Sequence, residues 1–389
     1  MTRLSADWVD APFPRAVMAA LDGRAFFVGG CVRNALLDEP VADIDISTPF
    51  RPDEVTARLE AAGLKVVPTG LQHGTVTAVL DGAPIEITTF RADVETDGRH
   101  AKVAFTEDIS VDAGRRDFTM NALYADCDGQ VVDPLGGLPD LLARRVRFIG
   151  LAEDRIREDY LRILRFFRFH AWYGAKGIDP DGLAACAALS DGLEQIARER
   201  IGWEFRKLLA APDPAPAVAS MAASGILLRC LPGADPSALA PLVHLEAAAG
   251  YAPDWMTRLA GIGGEDPPGR LKLSRAEQAS LLAIGKALSS GAAPALNTYR
   301  HGAQAARAAA LITSATLGSP LAGNLEAEIA RGAAQRFPLT ADDLMASGIQ
   351  PGPALGDALD RAEAAWIASD FSRDKAALLQ DALKASRHD

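Results

Sequence analysis

The chain has 389 residues, 49% of them apolar and 23% charged. At ~150 residues per domain that is core enough for two or three domains, and it excludes a mainly disordered protein. The net charge of −11 argues against a protein that coats nucleic acid non-specifically, but leaves room for a local basic site.

The four cysteines (Cys31, Cys127, Cys186, Cys230) form no CxxC pair. A zinc site and a disulfide framework are therefore not expected, and the expected compartment is the cytoplasm. Apolar runs stay far below the ~18 residues of a membrane span, and the first residues lack the apolar core of a secretory signal. Only 8 of the 40 basic residues are Lys. The remaining arginines suit forked contacts to phosphates and base edges, or reflect composition alone.

Taken in chain order, residues 25–30 (AFFVGG) read as a short strand running into a glycine pair, and CVRNALL has helical spacing. Residues 42–47 (ADIDIS) alternate as a half-buried strand does. Residues 75–80 and 84–90 are β-rich runs around Asp81-Gly82, a hairpin signal. The polar stretch 91–112 has no periodicity and predicts a mobile loop. From about Arg144 the pattern turns helical, with one helix expected over residues 152–172. There Ile156, Tyr160, Ile163, Leu164 and Phe167 form an apolar stripe. Residues 211–217 (APDPAPA) break it as a linker or corner. The rest is Ala/Leu-rich helix with turns such as residues 263–269, and no fixed-period repeat is visible.

Asp43 and Asp45 stand two apart on the expected strand and so share a face. Two carboxylates there repel unless a cation intervenes, and Mg²⁺ suits carboxylates plus phosphate oxygens. Two solvent-facing aspartates would need no cation. Gly29-Gly30, between strand and helix, could present N–H groups to an anion, with Arg33 one turn in to fork onto a phosphate; a plain turn fits equally. Glu86 alternates with Ile85 and Ile87. It reads as a solvated strand residue rather than a third metal-side carboxylate.

Together, GGCVRNALL…ADIDIS resembles the signature of the nucleotidyltransferase superfamily that includes poly(A) polymerases and tRNA CCA-adding enzymes. Asn34 stands where the family usually has Asp. Gln72-His73-Gly74-Thr75 and residues 115–122 (RRDFTMNA) resemble motifs of the bacterial-type, class II branch. The resemblance implies that Asp117 contacts the ribose 2′-OH and that Arg116 contacts nucleotide. A carboxylate suits a hydroxyl that only ribonucleotides carry.

On the expected helix, Asp159 and Arg162 are i, i+3 and share a face, while Glu158 at i, i+4 can hold the Arg162 guanidinium. Acceptors beside a fork of donors can read a Watson–Crick edge. The segment resembles the family's EDxxRxxR motif, which implies that Asp159 and Arg162 template the incoming base and that Arg165 contacts nucleotide. Tyr160 replaces a common proline and reads as packing. Residues 144–170 carry eight arginines against four acids, a local excess of +4 that suits triphosphate and an RNA 3′ end.

Near the C-terminus, residues 348–353 (GIQPGP) lie between two helical patterns and resemble a late family motif; an RNA-phosphate contact and a plain turn explain them equally. His244 and His301 read as packing or surface residues. The His-Asp dipeptide occurs only at His388-Asp389, so no phosphohydrolase domain of that type is expected.

The expected fold is α+β. A nucleotidyltransferase head of mixed sheet and helices (1–143, catalytic) precedes an all-α neck (144–215, base recognition) and an all-α body and tail (216–389, RNA-binding). The expected function is template-independent addition of CCA to the tRNA 3′ end from CTP and ATP, with Mg²⁺ on Asp43 and Asp45, pyrophosphate as the leaving group and no membrane partner. Gly29, Gly30, Arg33, Arg116, Asp117, Asp159, Arg162 and Arg165 would bind nucleotide. A poly(A) polymerase of the same branch, or a partial enzyme adding only C or only A, fits the same motifs. A non-catalytic RNA binder and a small-molecule nucleotidyltransferase fit less of them.

Overall fold

The computed structural model describes residues 2–97 and 100–385. After α1 (Pro12–Ala20), β1 (Phe26–Val28) passes through Gly29 into α2 (Gly30–Leu36). Next come β2 (Asp45–Thr48), α3 (Pro52–Ala61), β3 (Lys65–Gly70), and the hairpin of β4 (Thr75–Leu80) and β5 (Ala83–Thr89). Then follow β6 (Arg91–Asp97), β7 (His100–Phe105), α4 (Ile109–Gly114), β8 (Tyr124–Ala125), β9 (Val131–Val132) and α5 (Leu138–Leu142). Seven strands form one mixed sheet in the order β3-β4-β5-β2-β1-β8-β9, with β2 and β5 parallel and the other pairs antiparallel. On this sheet Val28, Phe90, Ala113, Ala122, Tyr124 and Ile149 close into an apolar cluster.

The remainder is helical, so the expected α+β architecture holds. It opens with α6 (Ala152–Glu158), α7 (Leu161–Tyr173), α8 (Pro180–Ala188) and α9 (Arg198–Leu209). Residues 211–217 turn the chain into a further helix, Ala215–Ala223. Phe118, Phe148, Phe166 and Phe169 stack between the RRDFTMNA segment and α7, which fastens that segment to the helix.

By contacts the chain divides into two compact units. The first holds residues up to 243 with 253–255 and 262–273; the second holds 244–252, 256–261 and 274 onward. The second unit contains Arg275–Ser290, Ala303–Leu317, Pro353–Ala368 and Lys375–Ala385. Its core includes Leu339, Leu344, Ala358, Ala362, Trp366 and Leu378. Residues 348–353 connect Ala341–Ala346 to Pro353–Ala368. Among the described residues no helix is long and apolar enough to cross a membrane. The dipeptide His388-Asp389 lies outside the described residues.

Three local expectations are corrected. Most of residues 91–112 is ordered into the β6–β7 hairpin and the start of α4; residues 98 and 99 lie outside the described residues. The two strands do alternate with period two, Ala92, Val94 and Thr96 between Arg91, Asp93, Glu95 and Asp97, and Ala101, Val103 and Phe105 around Lys102, a weak signal in a stretch of high overall polarity. The helix expected over 152–172 is broken at Asp159-Tyr160. Asp159 is extended (φ −156°) and its carboxylate accepts the Leu161 N–H at 3.1 Å. Finally, β2 begins at Asp45 and leaves Asp43 before it. The β2–β5 register pairs Asp45 with Glu86, so Asp43 would lie opposite Pro84, which has no N–H to give. On the other side β1 has already turned into α2.

Candidate active site

A pocket of about 400 Å³ opens in the first unit, where the β1–α2 turn, the start of β2 and the RRDFTMNA segment meet α7 and α9. Every sequence-predicted site residue lines it except Asp43: Gly29, Gly30, Arg33, Asp45, Arg116, Asp117, Asp159, Arg162 and Arg165. Arg115, Asn121, Leu161, Phe169 and Arg200 complete the lining. Six arginines face three aspartates, so the pocket is cationic in an acidic protein.

The carboxylates gather at the mouth of β2. Asp45 is partly buried, and Asp43 and Glu86 are exposed. Burial pushes the Asp45 carboxyl above its ordinary value, Glu86 and Asp43 push it further, and Arg116 opposes them. Glu86 is thus solvated, as expected from its alternation, and is also close enough to act on Asp45. Among the described residues no three His, Cys, Asp or Glu side chains enclose an ion by themselves. All-oxygen donors, few in number and mutually repelling, suit a hard cation that takes its remaining ligands from phosphates.

Gly29 is favoured by conformation. Its φ is +71°, a left-handed backbone that side chains rarely adopt, and Arg116 Nη1 lies in van der Waals contact with the space a Cβ would take, at 3.4 Å. Arg116 is aimed by residues behind the pocket. Its Nε donates to the Tyr124 hydroxyl at 3.2 Å, and one Nη donates to Asp112 at 3.2 Å. Asp112 is fully buried and also binds Arg115 (2.9 Å), the Tyr124 hydroxyl (2.7 Å) and the Arg91 N–H (3.3 Å). This one carboxylate therefore ties the root of the β6–β7 hairpin to both arginines of the motif; the arginine pairs are i, i+3 and i, i+4, whereas the contacts to Arg91 and Tyr124 come from the fold.

Arg33 is buried. Four of its five N–H groups go to Asn34, Asn121 and Tyr173, and its guanidinium lies 4.1 Å from the Tyr173 ring centroid. One N–H is left for a ligand. Asp117 accepts from the Phe118 N–H and from Asn121, both at 2.9 Å, and from Arg165 Nε at 2.8 Å. Burial alone would raise the Asp117 carboxyl, but Arg165 and these hydrogen bonds hold it below the ordinary range.

The helix break re-sorts the partners of Asp159 and Arg162. Glu158 binds Arg162, as the i, i+4 spacing predicts. Arg162 also donates to the carbonyls of Arg155 (2.9 Å) and Arg115 (3.1 Å), which leaves two N–H groups for the pocket. Asp159 pairs at 2.6 Å with Arg200. No local pattern could have announced Arg200, which stands 41 residues further on. Asn121 lies inside the quoted motif, so its signal was present but unassigned. Tyr160 packs on Gly192, where a Cβ would overlap its ring.

Two family models match, both within the first unit. Residues 25–147 match the family model described as "Poly A polymerase head domain", and residues 177–237 match "Probable RNA and SrmB- binding site of polymerase A". The CCA-adding enzyme of Limosilactobacillus fermentum is 32% identical over 382 residues, 92% of each chain. The chain belongs to the CCA-adding enzyme family. Within that family, the mitochondrial CCA tRNA nucleotidyltransferase 1 of Danio rerio is 44% identical over 184 residues. That match covers 46% of this chain and 43% of the fish protein, so the chain spans less than half of this vertebrate relative. The crystal structure of the Bacillus stearothermophilus CCA-adding enzyme in complex with CTP is 29% identical. It superposes with a TM-score of 0.77 over 96% of this chain and 97% of that one.

Proposed function

We propose that the chain is a template-independent RNA nucleotidyltransferase that adds CCA to the tRNA 3′ end from CTP and ATP and releases pyrophosphate. One observation carries this reading: the strand-end carboxylate, the glycine turn, the ribose-side aspartate and the base-side pair line one cationic pocket. The CTP bound by the Bacillus stearothermophilus relative supports CTP as a substrate.

The RNA 3′-oxygen attacks the α-phosphorus, the bond to the bridging oxygen breaks, and pyrophosphate departs. Asp43 and Asp45 would hold Mg²⁺, which when bound acidifies the attacking hydroxyl and offsets charge on the leaving group. Gly29 and Gly30 let the backbone approach the phosphates, while Arg33 and Arg116 donate to them. Asp117, oriented by Arg165, accepts from the ribose 2′-OH. Asp159 and Arg162 read the edge of the incoming base. The division into head (1–143), neck (144–215) and an RNA-docking body and tail (216–389) belongs to the same proposal. The cytoplasmic address rests on cysteine usage alone.

The test is extension of a tRNA transcript lacking its 3′ CCA, with CTP and ATP singly and together. Two C additions and one A, then arrest, support the proposal. A long ladder with ATP alone on unrelated RNA indicates poly(A) synthesis, and addition of a single base type indicates a partial enzyme. Asp45→Ala should abolish incorporation with an unchanged circular dichroism spectrum; retained activity would remove Asp45 from the metal site.

A further inference from the structure

An exposed tryptophan stands one helical turn from the pocket. On α9, Arg200, Trp203, Glu204 and Lys207 recur at i, i+3, i+4 and i+7 and so lie along one side of the helix. Arg200 reaches into the pocket, and Trp203 follows it by about 5 Å along the axis. Glu204 is buried and pairs with Arg168 of α7. Trp203 is 58% exposed and contributes little to any core. The Lys207 ammonium sits 5.0 Å from its ring centroid. The Lys207 carbonyl accepts the indole N–H of Trp172 at 2.7 Å, and Trp172 is itself 39% exposed. Burial lowers the Lys207 pKa and the positive charges of Arg168 and Arg165 lower it further, with Glu204 opposing them.

Cations alternating with exposed indoles beside a nucleotide pocket are what a single strand of RNA requires: charge for the backbone and a flat apolar face for the bases. We propose that Trp203, with Lys207 on one face of its ring, is a stacking platform for a nucleobase of the acceptor's single-stranded 3′ end. It is a positioning residue that delivers that end to the pocket. The occupant is the RNA acceptor rather than the incoming nucleotide, because the groups assigned to the triphosphate and base line the pocket and Trp203 does not. The RNA-binding family match over residues 177–237 includes this position but names no residue. The inference rests on the reading of the pocket as a nucleotidyltransferase site.

The test uses the full chain as wild type, Trp203→Ala and Trp203→Phe, with a tRNA transcript lacking CCA. Trp203→Ala should raise KM for RNA about 5- to 100-fold with KM for CTP unchanged, and Trp203→Phe should recover most of the loss. An unchanged KM for RNA, or an equal rise in KM for CTP, would overturn the platform. Calorimetric CTP binding by Trp203→Ala checks that the variant is folded. A wild-type protein that extends no RNA defeats the catalytic reading, and the platform is then read by tryptophan fluorescence. Quenching by an oligoribonucleotide that is lost in Trp203→Phe, and that polyphosphate does not reproduce, supports it. Equal quenching of wild type and Trp203→Phe overturns it.

Discussion

Arg162 is held from three directions, by Glu158 and by the carbonyls of Arg155 and Arg115. A planar fork can meet all three and still offer two N–H groups, whereas an ammonium cannot. Arg162→Lys should therefore lower kcat/KM for nucleotide about 10-fold or more in single-turnover incorporation, despite the conserved charge. Asp112 allows a test through pH. Burial pushes its carboxyl up, but Arg116, Arg115 and the Tyr124 hydroxyl outweigh that and hold it below the ordinary value. A carboxyl held low adds stability above its unfolded pKa of about 3.9, and that stability is lost as pH falls through the folded value. Asp112→Asn should melt below wild type at neutral pH, with the gap shrinking below about pH 4. Thermal melts across that range read it, and a constant gap would count against the ion pairing.

At the scale of elements, the break between α6 and α7 decides which side chains face the pocket. Tyr160 rests on Gly192 there, so Gly192→Ala should displace the break and cost about 1–3 kcal/mol in urea unfolding. It should also raise KM for CTP, because Asp159 and Arg162 flank the break. This element also marks the limit of what the sequence made legible. The β1–α2 turn and the β4–β5 hairpin were readable because Gly29-Gly30 and Asp81-Gly82 encode their own backbone geometry locally. The helix break was not, because a continuous apolar stripe crosses it and the cap is made by one carboxylate. The late start of β2 depends on Pro84 in another strand, and the Asp159–Arg200 pair on another helix. Motif residues could be placed at the site from the sequence. Among the partners that aim them, Asp112 stands at i, i+3 and i, i+4 spacing from Arg115 and Arg116, while Tyr124 and Arg200 came from the fold.

At the scale of the molecule, the pocket lies wholly within the first unit, while the second builds its own core around Trp366 with Phe337, Tyr299 and Phe371. Trp366→Ala should cost the second unit about 3–5 kcal/mol, seen as an early calorimetric transition. CTP binding by the same variant should be unchanged; a parallel loss would mean that the pocket depends on the C-terminal core. A last consequence follows from the cations of the pocket, every one of which is an arginine among the described lining residues. A guanidinium stays charged far into alkali and, unlike an amine, is no target for acetyl transfer. Cellular acetylation or an amine-directed reagent would therefore pass this pocket by. A dicarbonyl reagent selective for guanidinium groups should inactivate it, with CTP as the protecting ligand.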